Sequence, residues 1–340
     1  MVPSPPRKRH VPTDRPLLSV VMPVYDGARF VEEAVRSVVA QAWRPLEVVA
    51  VDDGSKDGSL AILEGLARAH AGDDGAVVRV RAERNGGVGR ARNVGLADAR
   101  GEYVTFLDHD DVLTPGSLEA RAAALAAHPE RFVYGRLAWL GTSPDGSTVS
   151  PGPDHRPATT YAEAWDRLGI TTPGQVLLRR ADAVRCGGFP EDRAVGGSDD
   201  RAFWLRLVAG GVLPHAIHDV VLRYRVHAGQ ASRTVAYKRA RLALREAAVF
   251  AGDPPVRLVP EEVAGPVLAR LAMDLAHDLL DTDPADAMRV AEAARAKWPP
   301  LCDDPLWAGF HAKRRRKFVG RVPLLGPLLR TARRWLAPGP

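Results

Sequence analysis

Short apolar segments alternate with helix-period segments along the first third of the chain. Four segments have the β-branched and aromatic content of buried strands: Leu18–Met22, Leu46–Val51, Val77–Val80 and Tyr103–Leu107. Between them, apolar residues recur at the spacing of one helix face. This alternation predicts an α/β fold, with a mostly parallel sheet and right-handed crossovers covered by helices. The chain beyond Val235 is rich in alanine, leucine and arginine, which predicts a C-terminal helical extension with breaks at Pro254-Pro255, Pro284 and Pro299-Pro300.

Three segments between these parts also have local patterns. Ser143-Pro-Asp-Gly146 predicts a turn, and residues 150–157 predict a loop. Apolar residues at helix spacing, including Phe203 and Leu207, predict a helix over residues 199–209.

Polar side chains follow three of these strands at the point where each strand ends. Tyr25, the pair Asp52 and Asp53, and the run Asp108–Asp111 all occupy such positions. In parallel sheets, ligands bind outside the carboxyl ends of the strands. The sequence therefore predicts one site at this edge of the sheet.

The run Asp108-His109-Asp110-Asp111 places three carboxylates in four positions. Neighbouring carboxylates repel, and burying them is costly without a cation or strong donors. Mg²⁺ or Mn²⁺ could supply that charge through one or two carboxylates and substrate phosphates. A solvated acidic turn, or the cap of a helix starting near Pro115, is the alternative. The convergence of strand ends favours the metal.

Charge and composition limit the classes of function. The formal net charge is +6, but residues 313–340 carry nine Lys and Arg without an acid, and residues 1–16 carry +3. The remainder is −6, so a nucleic-acid-binding core is not implied. Two cysteines without metal spacing predict a reducing cytoplasm. No apolar run of 18 residues is present, and no apolar segment follows the basic N-terminus, which argues against a membrane span or signal peptide.

Five motifs in order resemble family 2 glycosyltransferases of GT-A fold, over roughly residues 17–230. They are Val20-Val-Met-Pro-Val-Tyr, Val51-Asp-Asp-Gly-Ser-Lys-Asp, Asn85-Gly-Gly-Val-Gly-Arg-Ala-Arg-Asn, Phe106-Leu-Asp-His-Asp-Asp and Gly187-Gly-Phe-Pro with Ser198-Asp-Asp. The resemblance implies an inverting, Mn²⁺- or Mg²⁺-dependent transfer from a nucleotide-diphospho-sugar, UDP- or dTDP-linked. A hydroxyl acceptor on a glycan or lipid-linked molecule of the cell envelope or of secondary metabolism would receive the sugar.

For the donor, the resemblance implies that Pro23 and Tyr25 touch the nucleoside, with Tyr25 stacking on the base. A core aromatic is the alternative for Tyr25. Asp53, with Asp52 beside it, would accept a hydrogen bond from a ring N–H; an Asx turn or helix cap before Ser59 is the other interpretation. Arg90 and Arg92 would face the diphosphate; the alternative is that they are solvated helix residues.

For the chemistry, the resemblance gives Asp110 the metal, with Asp108 holding the ribose or the ion's water shell. His109 stands where the family often has a small residue, so it either touches ligand or is a variant side chain. His227 is a candidate metal ligand, although a lone histidine is more often structural. Asp200 aligns with the general base and Asp199 with the preceding glutamate; capping of the helix is the alternative for Asp199.

The predicted domains are a disordered arm (1–16), a GT-A domain (17–235), a helical extension (236–312) and a basic amphipathic tail (313–340). The tail would contact an anionic membrane surface peripherally from the cytoplasm, or dock on the chain's own acidic core. A sugar-phosphate nucleotidyltransferase and an inactive nucleotide-binding scaffold are the alternative functions. The chain lacks the Gly-x-Gly-Thr-Arg loop of the former near its first strand, and both acidic clusters argue against the latter.

Overall fold

The computed structural model describes residues 15–71, 75–140, 158–191, 198–227, 234–251 and 256–321. The chain divides into two compact units, residues 1–232 and 233–340. The predicted arm (apart from its last two residues), the turn at 143–146, the loop at 150–157 and the break at Pro254-Pro255 lie outside the described residues, as does the tail beyond residue 321.

The first unit is built on an eight-stranded sheet in the order β3-β2-β1-β4-β7-β6-β8-β5. Strands β1 to β4 are parallel to their neighbours among themselves, whereas β7 is antiparallel to β4 and β6, and β5 is antiparallel to β8. The predicted α/β class with a mostly parallel sheet is confirmed. The strands are β1 (Leu18–Val24), β2 (Leu46–Asp52), β3 (Ala76–Ala82), β4 (Tyr103–Phe106), β5 (Val112–Leu113), β6 (Arg131–Leu140), β7 (Val176–Arg179) and β8 (Leu213–Arg225).

Helices cover both faces of this sheet, because each inner strand is apolar on both sides. All seven residues of β1 are buried, with Val20 and Met22 in one core cluster and Val21 in the other. Each such buried side chain stabilises the fold by about 1.5–3 kcal/mol. Helices α1, α2 and α4 pack on the first cluster and α3, α5, α6 and α7 on the second. They are α1 (Val31–Val39), α2 (Ser59–Ala69), α3 (Val88–Asp98), α4 (Ser117–Ala127), α5 (Tyr161–Arg167), α6 (Arg180–Arg185) and α7 (Asp199–Ala209).

The second unit is helical, with a core of alanine, leucine and aromatic side chains. Helices end before Pro284 and Pro299, as predicted, since proline lacks the amide that would continue a helix. One helix runs through residue 313, where the basic tail was predicted to begin. No described helix is long and apolar enough to cross a membrane. The elements are α8 (Val235–Ala247), β9 (Phe250–Ala251), β10 (Val256–Arg257), α9 (Glu261–Thr282), α10 (Pro284–Lys297) and α11 (Pro305–Arg321).

Candidate active site

The candidate site lies in the first unit, where β1, β2 and β4 end. Val24 pairs with Asp52 across β1 and β2, and Val21 pairs with Phe106 across β1 and β4. This register brings the segments that follow the three strands to one edge of the sheet. The first turn of α7, which carries Asp199 and Asp200, joins them there through a shared arginine described below.

Two neighbouring turns form the part of the site that follows β1 and β2. The amide of Asp26 donates to Ser55 Oγ (3.0 Å), and Asp26 Oδ1 accepts from the amide of Lys56 (2.7 Å). Asp26 takes a φ of 48°, in the left-handed region, which these bonds hold in place. Tyr25 is 43% exposed on the turn, so it is not a core aromatic.

Asp52 and Asp53 are both buried, at 2% and 3% exposure. Asp53 accepts the amides of Gly86 (2.7 Å) and Gly87 (2.9 Å), and so anchors the glycine-rich segment to the end of β2. Asp52 Oδ2 accepts the amide of Ser55 (3.2 Å) in a local turn, while its Oδ1 has no hydrogen-bond partner. Asp52 thus forms the predicted turn, and the base-binding role of the pair stays a prediction.

The two arginines of the glycine-rich motif have different surroundings. Arg90 is 39% exposed by its side chain and contacts Glu83 Oε2 and the carbonyl of Arg84, both at 3.3 Å. Arg92 is 4% exposed and lies between two carboxylates, Asp108 Oδ1 (2.6 Å) and Asp199 Oδ2 (2.5 Å). In the described contacts both guanidinium groups are held by protein oxygens, and their contact with a diphosphate stays a prediction.

The carboxylates around Arg92 keep it charged. Burial alone would lower the pKa of the Arg92 guanidinium, but Asp108, Asp199 and Asp200 outweigh burial and raise that pKa above its ordinary value. The Nε atom of Arg92 is buried without a partner, so its hydrogen bonding rests on the two terminal nitrogens. Arg92 is therefore a permanent cation inside the acidic centre of the site.

The acidic strand end separates into three carboxylates with different partners. Asp108 accepts from Arg92 and from Thr172 Oγ1 (3.2 Å). Asp111 is 1% exposed and contacts Thr172 Oγ1 (3.2 Å) and the amide of Arg225 (3.1 Å). Burial and the two neighbouring aspartates raise the pKa of Asp111 well above its usual range. Asp110 faces a different partner.

Asp110 Oδ2 lies 2.9 Å from His227 Nε2, and both side chains remain partly exposed, at 19% and 28%. Arg225 supports the pair, because its Nε donates to the Asp110 carbonyl (2.9 Å) and its guanidinium lies over the Phe30 ring. No group of three potential ligands from His, Cys, Asp and Glu occurs among the described residues. The carboxylate and imidazole nevertheless suit Mn²⁺, whose remaining ligands can come from phosphate and water.

His109 packs against the turn that follows β1. Its Nδ1 lies 3.4 Å from the carbonyl of Pro23, and a Cβ added to Gly27 would come within 2.3 Å of the His109 ring. The imidazole thus fills space that the missing side chain at Gly27 leaves open. His109 packs against the turn that follows β1 in the described contacts, and ligand contact by it stays a prediction.

Replacing Gly27 by alanine is expected to lower the free energy of unfolding by about 1–3 kcal/mol, because the new methyl group overlaps the His109 ring. In a His109→Ala background the same substitution should cost less than half as much, since the overlapping atoms are gone. Gly65→Ala is the control: nothing lies within 4 Å of that position in α2, so a gain of up to about 1 kcal/mol is expected. Urea unfolding of the variants measures each value, and equal costs in both backgrounds would contradict the packing role.

The first turn of α7 holds the predicted catalytic pair. Asp199 is 3% exposed. Its Oδ2 accepts from Arg92, whereas its Oδ1 is buried without a hydrogen-bond partner. Asp200 Oδ1 accepts the amide of Arg201 at 2.6 Å. Burial and the charge of Asp199 raise the pKa of Asp200 to about 7, against the opposing effect of Arg92. A carboxyl group with that pKa suits proton abstraction near neutral pH.

Two supporting residues were not identified from the sequence. Thr172 and Gln175 form a capping box, with the Gln175 side chain accepting the amides of Thr171 (2.7 Å) and Thr172 (3.2 Å). Their spacing, Thr-x-x-Gln, is the signature of such a box and could have revealed the turn. The Thr172 contacts to Asp108 and Asp111 depend on the fold and have no local signal.

Comparison with known proteins agrees with this geometry. The sequence profile of the family described as "Glycosyl transferase family 2" matches residues 19–183. This match identifies residues 19–183 as a glycosyl transferase family 2 segment. An uncharacterized glycosyltransferase of Rickettsia felis is 36% identical over 122 residues, which are 35% of this chain and 19% of that protein. The chain spans between 14% and 31% of the length of five Rickettsia proteins that it matches.

Two solved structures share the fold of this chain. S. aureus TarS 1–349, in complex with UDP-GlcNAc, superposes with a TM-score of 0.60 at 20% identity and covers 82% of this chain and 79% of that one. The mannosyltransferase PcManGT from Pyrobaculum calidifontis, in complex with GDP-Man and Mn²⁺, gives 0.55 at 23% identity, covering 92% and 83%. These likenesses confirm the GT-A fold.

Proposed function

We propose that the protein transfers one sugar from a nucleotide-diphospho-sugar to a hydroxyl acceptor with inversion at the anomeric carbon. The observation that carries this proposal is the Arg92 bridge, which joins Asp108 on the nucleotide side to the α7 turn that carries Asp200. A donor-binding strand edge and a carboxyl group of pKa about 7 thereby share one site. The family 2 match supports the same chemistry.

On the donor side, Tyr25 would stack on the base beside Pro23, and the exposure of its ring supports this role. Asp53 and the unpartnered Oδ1 of Asp52 are acceptors, and they favour a base that presents a ring N–H, as uracil and thymine do. We therefore assign a UDP- or dTDP-linked donor. Asp108, with both oxygens engaged by Arg92 and Thr172, is assigned to holding this half of the site together.

Asp110 and His227 would hold the divalent ion, Mn²⁺ or Mg²⁺, as one carboxylate and one imidazole ligand. When bound, such an ion supplies charge neutralisation for the leaving diphosphate. Arg225 fixes the backbone of Asp110 through its carbonyl, so the ligand pair is oriented before the ion arrives. PcManGT was solved with Mn²⁺, which supports this choice of ion.

On the acceptor side, Asp200 is the general base. The acceptor hydroxyl oxygen forms a bond to the anomeric carbon, the bond from that carbon to the diphosphate breaks, and the hydroxyl proton passes to Asp200. Asp199 stays paired with Arg92 and keeps the turn in place. A growing cell-envelope or secondary-metabolite glycan, free or lipid-linked, is the acceptor class that we assign.

The deciding experiment incubates the protein with UDP-, dTDP- and GDP-linked sugars and Mn²⁺ or Mg²⁺, and measures release of the nucleoside diphosphate. Release from a uracil or thymine donor, dependent on the ion, is expected. Pyrophosphate release from a nucleoside triphosphate and a sugar phosphate would instead indicate a nucleotidyltransferase. Nucleotide binding without release from any donor would indicate a scaffold.

We also propose peripheral contact of the basic C-terminal residues with an anionic membrane surface. Arg314, Arg315 and Arg316 are exposed on α11 and belong to the nine basic residues of 313–340. Each basic residue near such a surface contributes about 1 kcal/mol. Deletion of residues 313–340 is expected to abolish co-sedimentation with phosphatidylserine vesicles at low salt, with neutral vesicles as the control. Undiminished co-sedimentation would contradict the proposal.

A further inference from the structure

The proposed transfer step gives Arg92 no bond to make or break, although Arg92 lies between the two acidic parts of the site. Arg92 is buried on α3, and its two terminal nitrogens reach carboxylates 16 and 107 residues away in the chain. Arg90, two residues earlier, is far more exposed and pairs with Glu83. Residues two positions apart on a helix lie on nearly opposite faces. The Arg92 side chain is therefore directed toward the acidic centre, and the Arg90 side chain away from it.

Helix α3 is fixed against the segment that leads to α7. The Asn93 side chain donates to the carbonyl of Phe189 (2.9 Å) and accepts its amide (2.9 Å). A Cβ at Gly89 would lie 2.2 Å from the carbonyl oxygen of Pro190, so α3 and this turn touch backbone to backbone. The Arg92 guanidinium lies 5.2 Å from the centre of the Phe189 ring. These contacts fix the position of α3, the helix from which Arg92 reaches Asp199.

We propose that Arg92 is a positioning residue that fixes Asp200 for the transfer reaction by clamping Asp199 to Asp108. Asp200 follows Asp199 directly in the first turn of α7, so the bond from Arg92 to Asp199 fixes the position of Asp200. The same bridge ties that position to the nucleotide-side acid Asp108. The inference rests on the proposed function for its catalytic half, whereas the clamp itself is a property of the fold.

The charges around Asp200 make the loss of this cation measurable. Asp199 and Asp108 are the acids that act on it, Arg92 is the opposing cation, and the Arg201 amide donates to it. Removing Arg92 leaves the two acids unopposed, which raises the pKa of Asp200 further. The acid limb of the rate profile then moves to higher pH, an effect that a general loss of stability does not produce.

The test compares Arg92→Met and Arg92→Lys with the control Arg68→Met, at an exposed arginine of α2 outside the site. Turnover, donor KM and the pH profile are measured by nucleoside diphosphate release, and amide hydrogen exchange is followed in residues 198–209. For Arg92→Met we expect faster exchange in the first turn of α7, a kcat lower by about 100-fold, and a donor KM within about threefold of wild type. Arg92→Lys should recover part of kcat, and Arg68→Met should match wild type.

Hydrogen exchange tests whether Arg92 holds the first turn of α7 even if the wild-type protein releases no nucleoside diphosphate. The absence of release would contradict the proposed function but not the clamp. Unchanged exchange in α7 of both Arg92 variants would overturn the clamp whatever the rates show. Faster exchange with unchanged kcat and an unmoved acid limb would overturn the role in positioning the base. If Arg92→Met fails to fold, exchange in α7 is measured in Arg92→Lys, which retains the cation but not the two-nitrogen contact.

Discussion

Replacing Asp200 by asparagine is expected to lower the turnover number by about 10²- to 10⁴-fold while leaving the affinity for the nucleotide within about threefold. An amide cannot take up the acceptor proton, so the substitution removes the base and keeps its shape. The residues proposed to bind the nucleotide, Tyr25, Asp52 and Asp53, keep their contacts because none of them touches Asp200 in the described structure. Single-turnover release of nucleoside diphosphate and calorimetric titration with UDP separate the two effects.

The same substitution carries a pH signature. The pKa of Asp200 is raised to about 7, so wild-type kcat should rise as pH increases through 7, and this rise should vanish in Asp200→Asn. A raised carboxyl pKa favours the fold only while the group is protonated, and that contribution is lost as pH increases from about 4 to about 7. The asparagine variant should therefore unfold at a higher temperature than wild type above pH 7.

Asp166→Asn serves as the control, because Asp166 is an exposed acid of α5 outside the site. It should match wild type in rate, pH profile and melting temperature. Wild-type turnover in Asp200→Asn would remove Asp200 from the role of base.

Replacing Asp110 by asparagine is expected to weaken Mn²⁺ binding and to lower donor turnover by about 100-fold or more. A divalent ion contributes several kcal/mol of charge stabilisation, and each 1.4 kcal/mol is a factor of about ten in rate. His227→Gln should lower both quantities as well, since the two side chains lie 2.9 Å apart. Electron paramagnetic resonance of free Mn²⁺ measures binding independently of turnover.

His215→Gln is the matched control for His227, because His215 lies at the opposite end of β8 and stacks on His128. It should leave Mn²⁺ binding unchanged. If Asp110→Asn and His227→Gln bind Mn²⁺ in the presence of UDP as wild type does, the ion is held elsewhere and the assignment of the ligand pair is wrong.

Local sequence patterns predicted the strands and helices that build the site, but not the contacts and burial of its individual side chains. Apolar runs of β-branched residues located β1, β2 and β4, and the spacing of Phe203 and Leu207 gave α7 its observed bounds. Placing acids at the strand ends followed from the general geometry of parallel sheets.

What the sequence left open depends on contacts between distant segments. Arg90 and Arg92 have the same chemistry, and only the packing of α3 distinguishes the exposed residue from the buried one. Asp53 binds amides 33 and 34 residues away, so no local pattern reveals its anchoring role. Arg121 is completely buried, its described bonds go to neutral oxygens, and burial lowers its pKa to about 9; nothing in its own segment indicates this.

The contacts that complete the site also order its assembly in time. Arg92 and Asp199 are 107 residues apart, His227 and Asp110 are 117 apart, and Arg225 and Glu33 are 192 apart. Closing such long loops is entropically costly and slow, whereas β1 pairs with β2 over 28 residues. During synthesis, the first four strands can therefore form while the acidic centre still lacks its cation-paired turn and its histidine. Asp108 can pair with Arg92 as soon as α3 and β4 have formed, whereas Asp110 gains its contacts with Arg225 and His227 only after the chain has been made as far as residue 227.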